Sequence, residues 1–346
     1  MAKQLHNKVN RQELKAKILA DAEPRTTVSF YQYAHIADTS AFRNELYLSL
    51  EKVGALGRIY IAAEGINAQA SVPTKNIDAF RDAIYAVSFL EGVRLNWAVE
   101  DNGKSFYKLD VRVRPKIVAD GIDDPNFDSS KIGKHLNAQE FNAMLDANPH
   151  INIVDMRNHY ESEVGHFKNA ILPDVDTFRE QLPLVAEMLS EQKAAPVIMY
   201  CTGGIRCEKA SAYMQYNGYE DVYQLEGGII EYSRKCKELG LPNKFIGKNF
   251  VFDDRLGERI SEDVIAHCHQ CGKPADNHTN CANLACHLLF IQCEECAASL
   301  EGCCTVACQT VIHLPKEEQE ALRQGIHKGR QVFKRRKGIL ERGDLM

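Results

Sequence analysis

An apolar run that ends in a cysteine, two glycines and an arginine leaves a chain few ways to fold. Pro196-Val197-Ile198-Met199-Tyr200 is continuously apolar, and Cys201-Thr202-Gly203-Gly204-Ile205-Arg206 follows it directly. The run reads as a buried strand, and Glu208 to Tyr216 reads as a helix. A strand, a tight turn and a helix in succession form the repeating unit of an α/β fold with a mostly parallel sheet. Cys201 then sits at a helix N-terminus, where free N–H groups and the helix dipole stabilise an anion. Such a setting moves a thiol from about 8.5 toward the roughly 3.5–7.5 range of reactive cysteines. Gly203 and Gly204 let the backbone fold around the sulfur, and Arg206 adds a fixed charge with five donors. A cysteine that merely fills a core needs none of these neighbours. Cys201 is therefore the candidate nucleophile, in an anion cradle made by Thr202, Gly203, Gly204, Ile205 and Arg206.

The surrounding segment alternates in the same style. Asn137 to Leu145 reads as a helix, Ile151 to Asp155 as a strand, and Pro173 to Leu189 as mostly helical around Pro183. Val222 to Leu225 reads as a strand and Ile230 to Leu239 as a helix. Ligands of such sheets bind beyond the carboxyl ends of the strands, where both Asp155 and Cys201 fall, so one pocket can receive both. Asp155 and Arg157 are supporting residues, either touching substrate or tying loops together as a buried pair. His166 and His159 read as packed histidines, Cys207 as a buried thiol, and Glu208 with Lys209 as a solvated helix start, either of which could instead face the pocket mouth.

The loop is Cys-x4-Arg, one residue shorter than the Cys-x5-Arg cradle that holds phosphate in cysteine phosphatases, so it suits a smaller group such as a sulfane sulfur. Asp155-Met156-Arg157, Glu161, Gly165-His166-Phe167 with Ala170, and Leu225-Glu226-Gly227-Gly228-Ile229 accompany it. In order and spacing, residues 131–240 resemble the rhodanese family, whose loop cysteine carries a persulfide.

The N-terminal part has a different rhythm. Thr26 to Tyr33, two runs between Gly57 and Val72, Arg94 to Val99 and Ser105 to Val113 read as strands. Ser40 to Val53 and Thr74 to Val87 place apolar residues at helical spacing. The order β-α-β-β-α-β with an added strand suggests a ferredoxin-like or acylphosphatase-like sandwich, a fold that does not settle a role. Asp120-Gly121-Ile122-Asp123-Asp124-Pro125 reads as a turn-rich linker.

Cysteines are unevenly spent. Nine of the twelve lie between Cys268 and Cys308. No N-terminal apolar core suggests export, so a reducing, cytoplasmic setting and metal ligation are expected rather than disulfides. Two Cys-x2-Cys pairs, Cys268 with Cys271 and Cys293 with Cys296, have the spacing that grips one tetrahedral ion. With Cys281, Cys286, Cys303 and Cys308 they make eight candidate ligands, enough for two zinc sites. An iron–sulfur cluster or a set of packed free thiols fits the spacing as well. No flavin or nicotinamide site is evident. No stretch approaches the roughly 18 apolar residues of a membrane span. The net charge of −5 does not mark a nucleic-acid binder, so any such partner must meet a local patch. One lies in the tail, where Lys328, Arg330, Lys334, Arg335, Arg336 and Lys337 surround Phe333 with no acid among them. Such a run can neutralise RNA phosphates, or simply be solvated.

Further segments extend the resemblance across nearly the whole chain. They are Glu23 to Thr27, Glu64-Gly65-Ile66-Asn67-Ala68-Gln69, Val118 to Pro125, Met199 to Ala210, Phe245 to Asp253 and Ala266 to Gly272. Together they resemble the bacterial rhodanese-domain tRNA uridine hydroxylase family. The chain reads as an N-terminal arm (1–24), a ferredoxin-like α+β domain (25–118), a linker (119–130), a rhodanese-like domain (131–244), a Cys-rich extension (245–312) and a basic tail (313–346), and the resemblance implies the same order of sandwich, rhodanese domain and Cys-rich extension. It also implies oxygen-dependent hydroxylation of C5 of uridine 34, with molecular oxygen as substrate, the tRNA anticodon loop as partner and Cys201 at the active position. Two other function classes stay open: a sulfurtransferase passing a persulfide sulfur, and a non-catalytic RNA-binding adaptor. The oligomeric state is not legible.

Overall fold

The computed structural model describes residues 11–324 and 331–334. A first helix, α1 (Arg11–Ala20), leads into the N-terminal domain. That domain is built from β1 (Arg25–Tyr33), α2 (Thr39–Lys52), β2 (Leu56–Ala62), β3 (Gly65–Pro73), α3 (Ile77–Tyr85), β4 (Asn96–Trp97) and β5 (Leu109–Val113). The strand order is β4-β1-β3-β2-β5, antiparallel except where β5 runs parallel to β2. This is the sandwich expected from the sequence, with the added strand at one edge. Its core alternates along each strand: Val28 and Phe30 of β1 and Ile59 and Ile61 of β2 pack with Leu50, Phe80 and Ile84 from the helices. The outer face of β1 carries Tyr31 and Tyr33, which the next domain covers.

The central domain contains β6 (Lys134–Leu136), α4 (Ala138–Ala147), β7 (Asn152–Asp155), α5 (His159–Ser162), β8 (Gly165–Phe167), α6 (Phe178–Met188), β9 (Val197–Tyr200), α7 (Ile205–Tyr216), β10 (Val222–Leu225) and α8 (Gly228–Leu239). Strands β6-β10-β9-β7 form a parallel sheet. β9 is buried at every position because both faces are covered: Val197 and Met199 enter one core, Ile198 and Tyr200 the other. Helix α6 begins at Phe178 rather than Pro173, where the Thr177 and Glu180 side chains make a capping box. Pro183 is accommodated inside it.

The start of the segment read as a turn-rich linker is packed. Asp120 is buried and accepts from Lys116 Nζ at 2.6 Å, while Val118 and Ile122 lie against the central core. The extension is equally continuous with what precedes it. β11 (Phe245–Asn249) pairs antiparallel with β8 and with β12 (Glu258–Arg259). A hairpin of β13 (His278–Asn280) and β14 (Leu289–Ile291) follows, then α9 (Glu294–Leu300), α10 (Val306–Ile312) and α11 (Lys316–Ala321). No helix among the described residues is long and apolar enough to cross a membrane.

Candidate active site

The loop after β9 closes around one sulfur. Gly204 adopts φ +97°, a backbone state that side chains disfavour, and its N–H donates to Cys201 Sγ at 3.2 Å. From the other side, the N-terminus of α8 clamps the loop: Ile229 N–H donates to the Cys201 carbonyl at 3.0 Å and Ile230 N–H to that of Thr202 at 3.2 Å. A Cβ on Gly228 would lie 2.5 Å from the Cys201 carbonyl oxygen, so only glycine lets helix and loop approach this closely. The glycine pair at 227–228 is thus part of the site.

Burial pushes the Cys201 thiol up. The Cys207 thiol, the Arg206 charge and the backbone N–H groups of Arg206 and Cys207 outweigh it, and the thiol is lowered to about 6. At neutral pH the group is a thiolate. Arg206 does not wander: it makes a bidentate pair with Glu161, Nη1 to Oε2 at 2.7 Å and Nη2 to Oε1 at 2.8 Å. Cys207 is buried and its own thiol is pushed up, by burial first and by the neighbouring Cys201. It therefore stays protonated and donates to the thiolate.

The residue Cys201 has no solvent-exposed surface, yet it lines a cleft of about 420 Å³. The floor is the loop, through Cys201, Thr202, Gly203, Ile205 and Arg206. The walls come from far away in sequence: Tyr31, Tyr60, Asn67, Gln69 and Asn96 from the N-terminal sheet, Phe178 from α6, and Phe252, Arg255 and Glu258 from the extension. Burial raises Glu258, against the pull of Arg255 at 2.6 Å.

Asp155 and Arg157 do not join this cleft. Both are fully buried, locked to each other by Arg157 Nε to Asp155 Oδ1 at 2.9 Å and Nη2 to Oδ2 at 2.6 Å. Arg157 also donates to the Gly165 carbonyl, tying β7 to β8. Of the two readings open for this pair, loop-tying is the one the geometry supports. His166 and His159 bond to main-chain carbonyls, as packed histidines do.

Glu208 and Lys209 are not a solvated helix start; both are buried. Glu208 accepts from Tyr31 Oη at 2.8 Å, from the His135 ring at 3.1 Å and from Gln224 at 3.2 Å. Lys209 pairs with Glu64 at 2.6 Å and Asp120 at 3.0 Å. The N-terminal domain docks on the start of α7, so these charges face protein rather than water. Spacing within residues 131–240 carries no signal of that docking.

The extension gathers its thiols into two groups: Cys268, Cys271, Cys293 and Cys296, and Cys281, Cys286, Cys304 and Cys308. Within each group the sulfurs all lie within 4.8 Å of one another. Cys271 and Cys293 are 3.6 Å apart, and Cys304 is 3.7 Å from both Cys286 and Cys308. Four sulfurs about 2.3 Å from a central ion stand roughly 3.8 Å apart on a tetrahedron, so the donor sets fit zinc. All twelve cysteines are unbridged. One expected ligand is corrected: the second group takes Cys304, not Cys303. It is the Cys304 sulfur that stands within 3.7 Å of Cys286 and Cys308, while Cys303 is buried beside the group without joining it.

Of the basic tail, Lys334 is described and pairs with Asp176. Lys328, Arg330, Arg335, Arg336 and Lys337 lie outside the described residues.

Three family descriptions match the chain in succession: UPF0176 acylphosphatase like domain over residues 25–117, Rhodanese-like domain over 137–235, and Rhodanase C-terminal over 246–309. Among curated proteins, the tRNA uridine(34) hydroxylase of Yersinia enterocolitica is 59% identical over 338 residues, covering 97% of this chain and 96% of that protein. The protein of the same name from Pectobacterium carotovorum is also 59% identical, covering 97% of this chain and 95% of its own. A rhodanese-like domain protein from Staphylococcus aureus, of solved structure, is similar over 29% of this chain and 90% of that one, at 26% identity and a TM-score of 0.25.

Proposed function

The chain belongs to the tRNA uridine(34) hydroxylase family, and on that premise we propose that it hydroxylates C5 of uridine 34 in the anticodon loop of tRNA, in the cytoplasm, with molecular oxygen as the oxygen source. The observation that carries this reading is the Cys201 thiolate, held at about 6 and facing a cleft that three separate parts of the chain enclose.

Uracil C6 is electrophilic. The Cys201 thiolate adds there, and the electron pair of the C5–C6 double bond moves toward C5 and the C4 carbonyl oxygen. C5 then attacks an electrophilic oxygen atom. Loss of the C5 proton and departure of the thiolate restore the double bond and give 5-hydroxyuridine. Taking one atom of O2 into the product releases the other as water, which consumes two protons and two electrons from an external reductant. Arg206 and the loop N–H groups stabilise the thiolate both before attack and on its release. Outside the cleft, zinc in the two thiol quartets would staple an extension with little core of its own, and so hold Phe252 and Glu258 in place.

The test is nucleoside mass analysis of tRNA from a strain lacking the gene. Return of the wild-type gene restores 5-hydroxyuridine, and Cys201→Ser leaves none. Full restoration by the serine variant would overturn the reading. Restoration of thiolated nucleosides instead of 5-hydroxyuridine would favour sulfur transfer.

A further inference from the structure

The cleft holds an amide that the protein itself does not satisfy. Asn96 is 3% exposed, and its Oδ1 has no hydrogen-bond partner. A buried acceptor left without a donor is costly, and a ligand that supplies the donor removes that cost. Asn96 lines the same cleft as Cys201, and its Nδ2 stands 3.9 Å from where a Cβ on Gly203 would point. A second orphan, Glu258 Oε2, lines the cleft as well. Asn158, whose Oδ1 also has no partner, lines the cleft too, so three buried polar atoms among the described residues are left for a ligand to satisfy here.

The position of this amide is fixed by the docking of two domains. Asn96 belongs to β4, opposite Ser29 of β1. Two residues further along β1, Tyr31 bonds to Glu208 on α7, and Tyr33 Oη donates to the Ile205 carbonyl at 3.4 Å. The sheet that carries Asn96 is thus anchored to the loop that carries Cys201.

The chemistry narrows the ligand edge. The imide edge of uracil offers an N–H donor flanked by two carbonyl acceptors. A carboxamide offers one acceptor and one donor side by side, so it can meet N3–H and a neighbouring carbonyl together. We propose that Asn96 reads the target base, pairing its amide with the imide edge of the uracil presented to Cys201. This rests on the hydroxylase reading above and adds the residue that selects the base.

The experiment uses the full-length protein with Asn96→Ala and with the near-isosteric Asn96→Asp, which keeps an acceptor but loses the donor. Each is measured for 5-hydroxyuridine in tRNA of the complemented deletion strain. The purified variants are measured for the pH profile of Cys201 alkylation and for affinity toward unmodified tRNA. Both variants are expected to lower 5-hydroxyuridine at least tenfold with tRNA affinity within about twofold, and Asn96→Ala, which adds no charge, keeps the alkylation midpoint near 6. Retention of half or more of the wild-type modification by either variant overturns the proposal. A thiol midpoint that rises above 7 in Asn96→Ala also overturns it, because Asn96 would then act by supporting the loop. Absence of 5-hydroxyuridine with the wild-type gene itself would instead remove the hydroxylase reading, and this assignment with it.

Discussion

Cys201 and the thiol quartets of the extension use the same side chain in opposite ways. Around Cys201 the protein supplies the compensation for negative charge itself, through Arg206, Cys207 and the amides of the loop. The residue itself is left in the lining of the cleft. In the extension, eight sulfurs face one another in two groups, each arranged so that a cation at its centre would relieve their mutual repulsion. An open thiolate is available for bond making; a closed set of four is a staple. The difference teaches that reactivity here comes from the surroundings of the sulfur and not from the density of cysteines.

Single substitutions can break that contrast. The largest effect is expected from pairing Cys201→Ser with Cys304→Ser. The first should abolish 5-hydroxyuridine while leaving two equivalents of zinc by elemental analysis. The second should lose one equivalent and lower the thermal unfolding midpoint by several degrees, with Cys201 still alkylated normally. Equal metal content in both variants would dissolve the distinction. A smaller effect is expected within the loop. Gly204→Ala forces a side chain into φ +97° with its Cβ 2.8 Å from Tyr31 Oη, and should reduce alkylation and modification about tenfold. Gly203→Ala meets only an ordinary contact with Asn96 and should leave alkylation within about twofold. Matching losses at both positions would show that the loop does not depend on its backbone shape.

The pH response sharpens the comparison further. With the thiol lowered to about 6 by its surroundings, alkylation of Cys201 should be flat above pH 7 and fall about tenfold per unit below 6. The sign for stability follows. The folded state holds this thiol ionised at a lower pH than an unfolded chain does, so its contribution is complete above the ordinary thiol range. That contribution shrinks as pH falls and is gone once the pH passes below 6. A midpoint near 9 would mean that the compensation is absent. The smallest expected effect is from Cys303→Ser, one residue from a ligand. It should leave both zinc equivalents in place, and loss of one would restore Cys303 to the ligand set.

What the sequence disclosed depends on how far apart the interacting residues are. The Cys201 loop was legible because strand, glycines and arginine follow one another within eleven residues, Pro196 to Arg206, and local chemistry dictates their geometry. The sandwich and the parallel sheet were legible from periodicity, since each strand and helix carries its own pattern. The walls of the cleft were not. Tyr31, Asn96 and Glu258 reach Cys201 only through contacts between domains, and nothing in their flanking residues marks them. Glu208 and Lys209 looked solvated for the same reason: a charged pair at a helix start reads alike whether water or another domain faces it. Cys303 and Cys304 differ by one position, and spacing alone does not say which of two neighbours turns inward.

The buried pairing of Lys209 with Glu64 and Asp120 limits how this molecule can be divided. Excising the central unit to make a minimal enzyme would strip the Lys209 ammonium of both carboxylates and Glu208 of the Tyr31 hydroxyl, on a newly bared surface. Surgery at the apparent seam would therefore yield a fragment with an altered pocket, and dissecting this protein calls for point changes in the intact polypeptide.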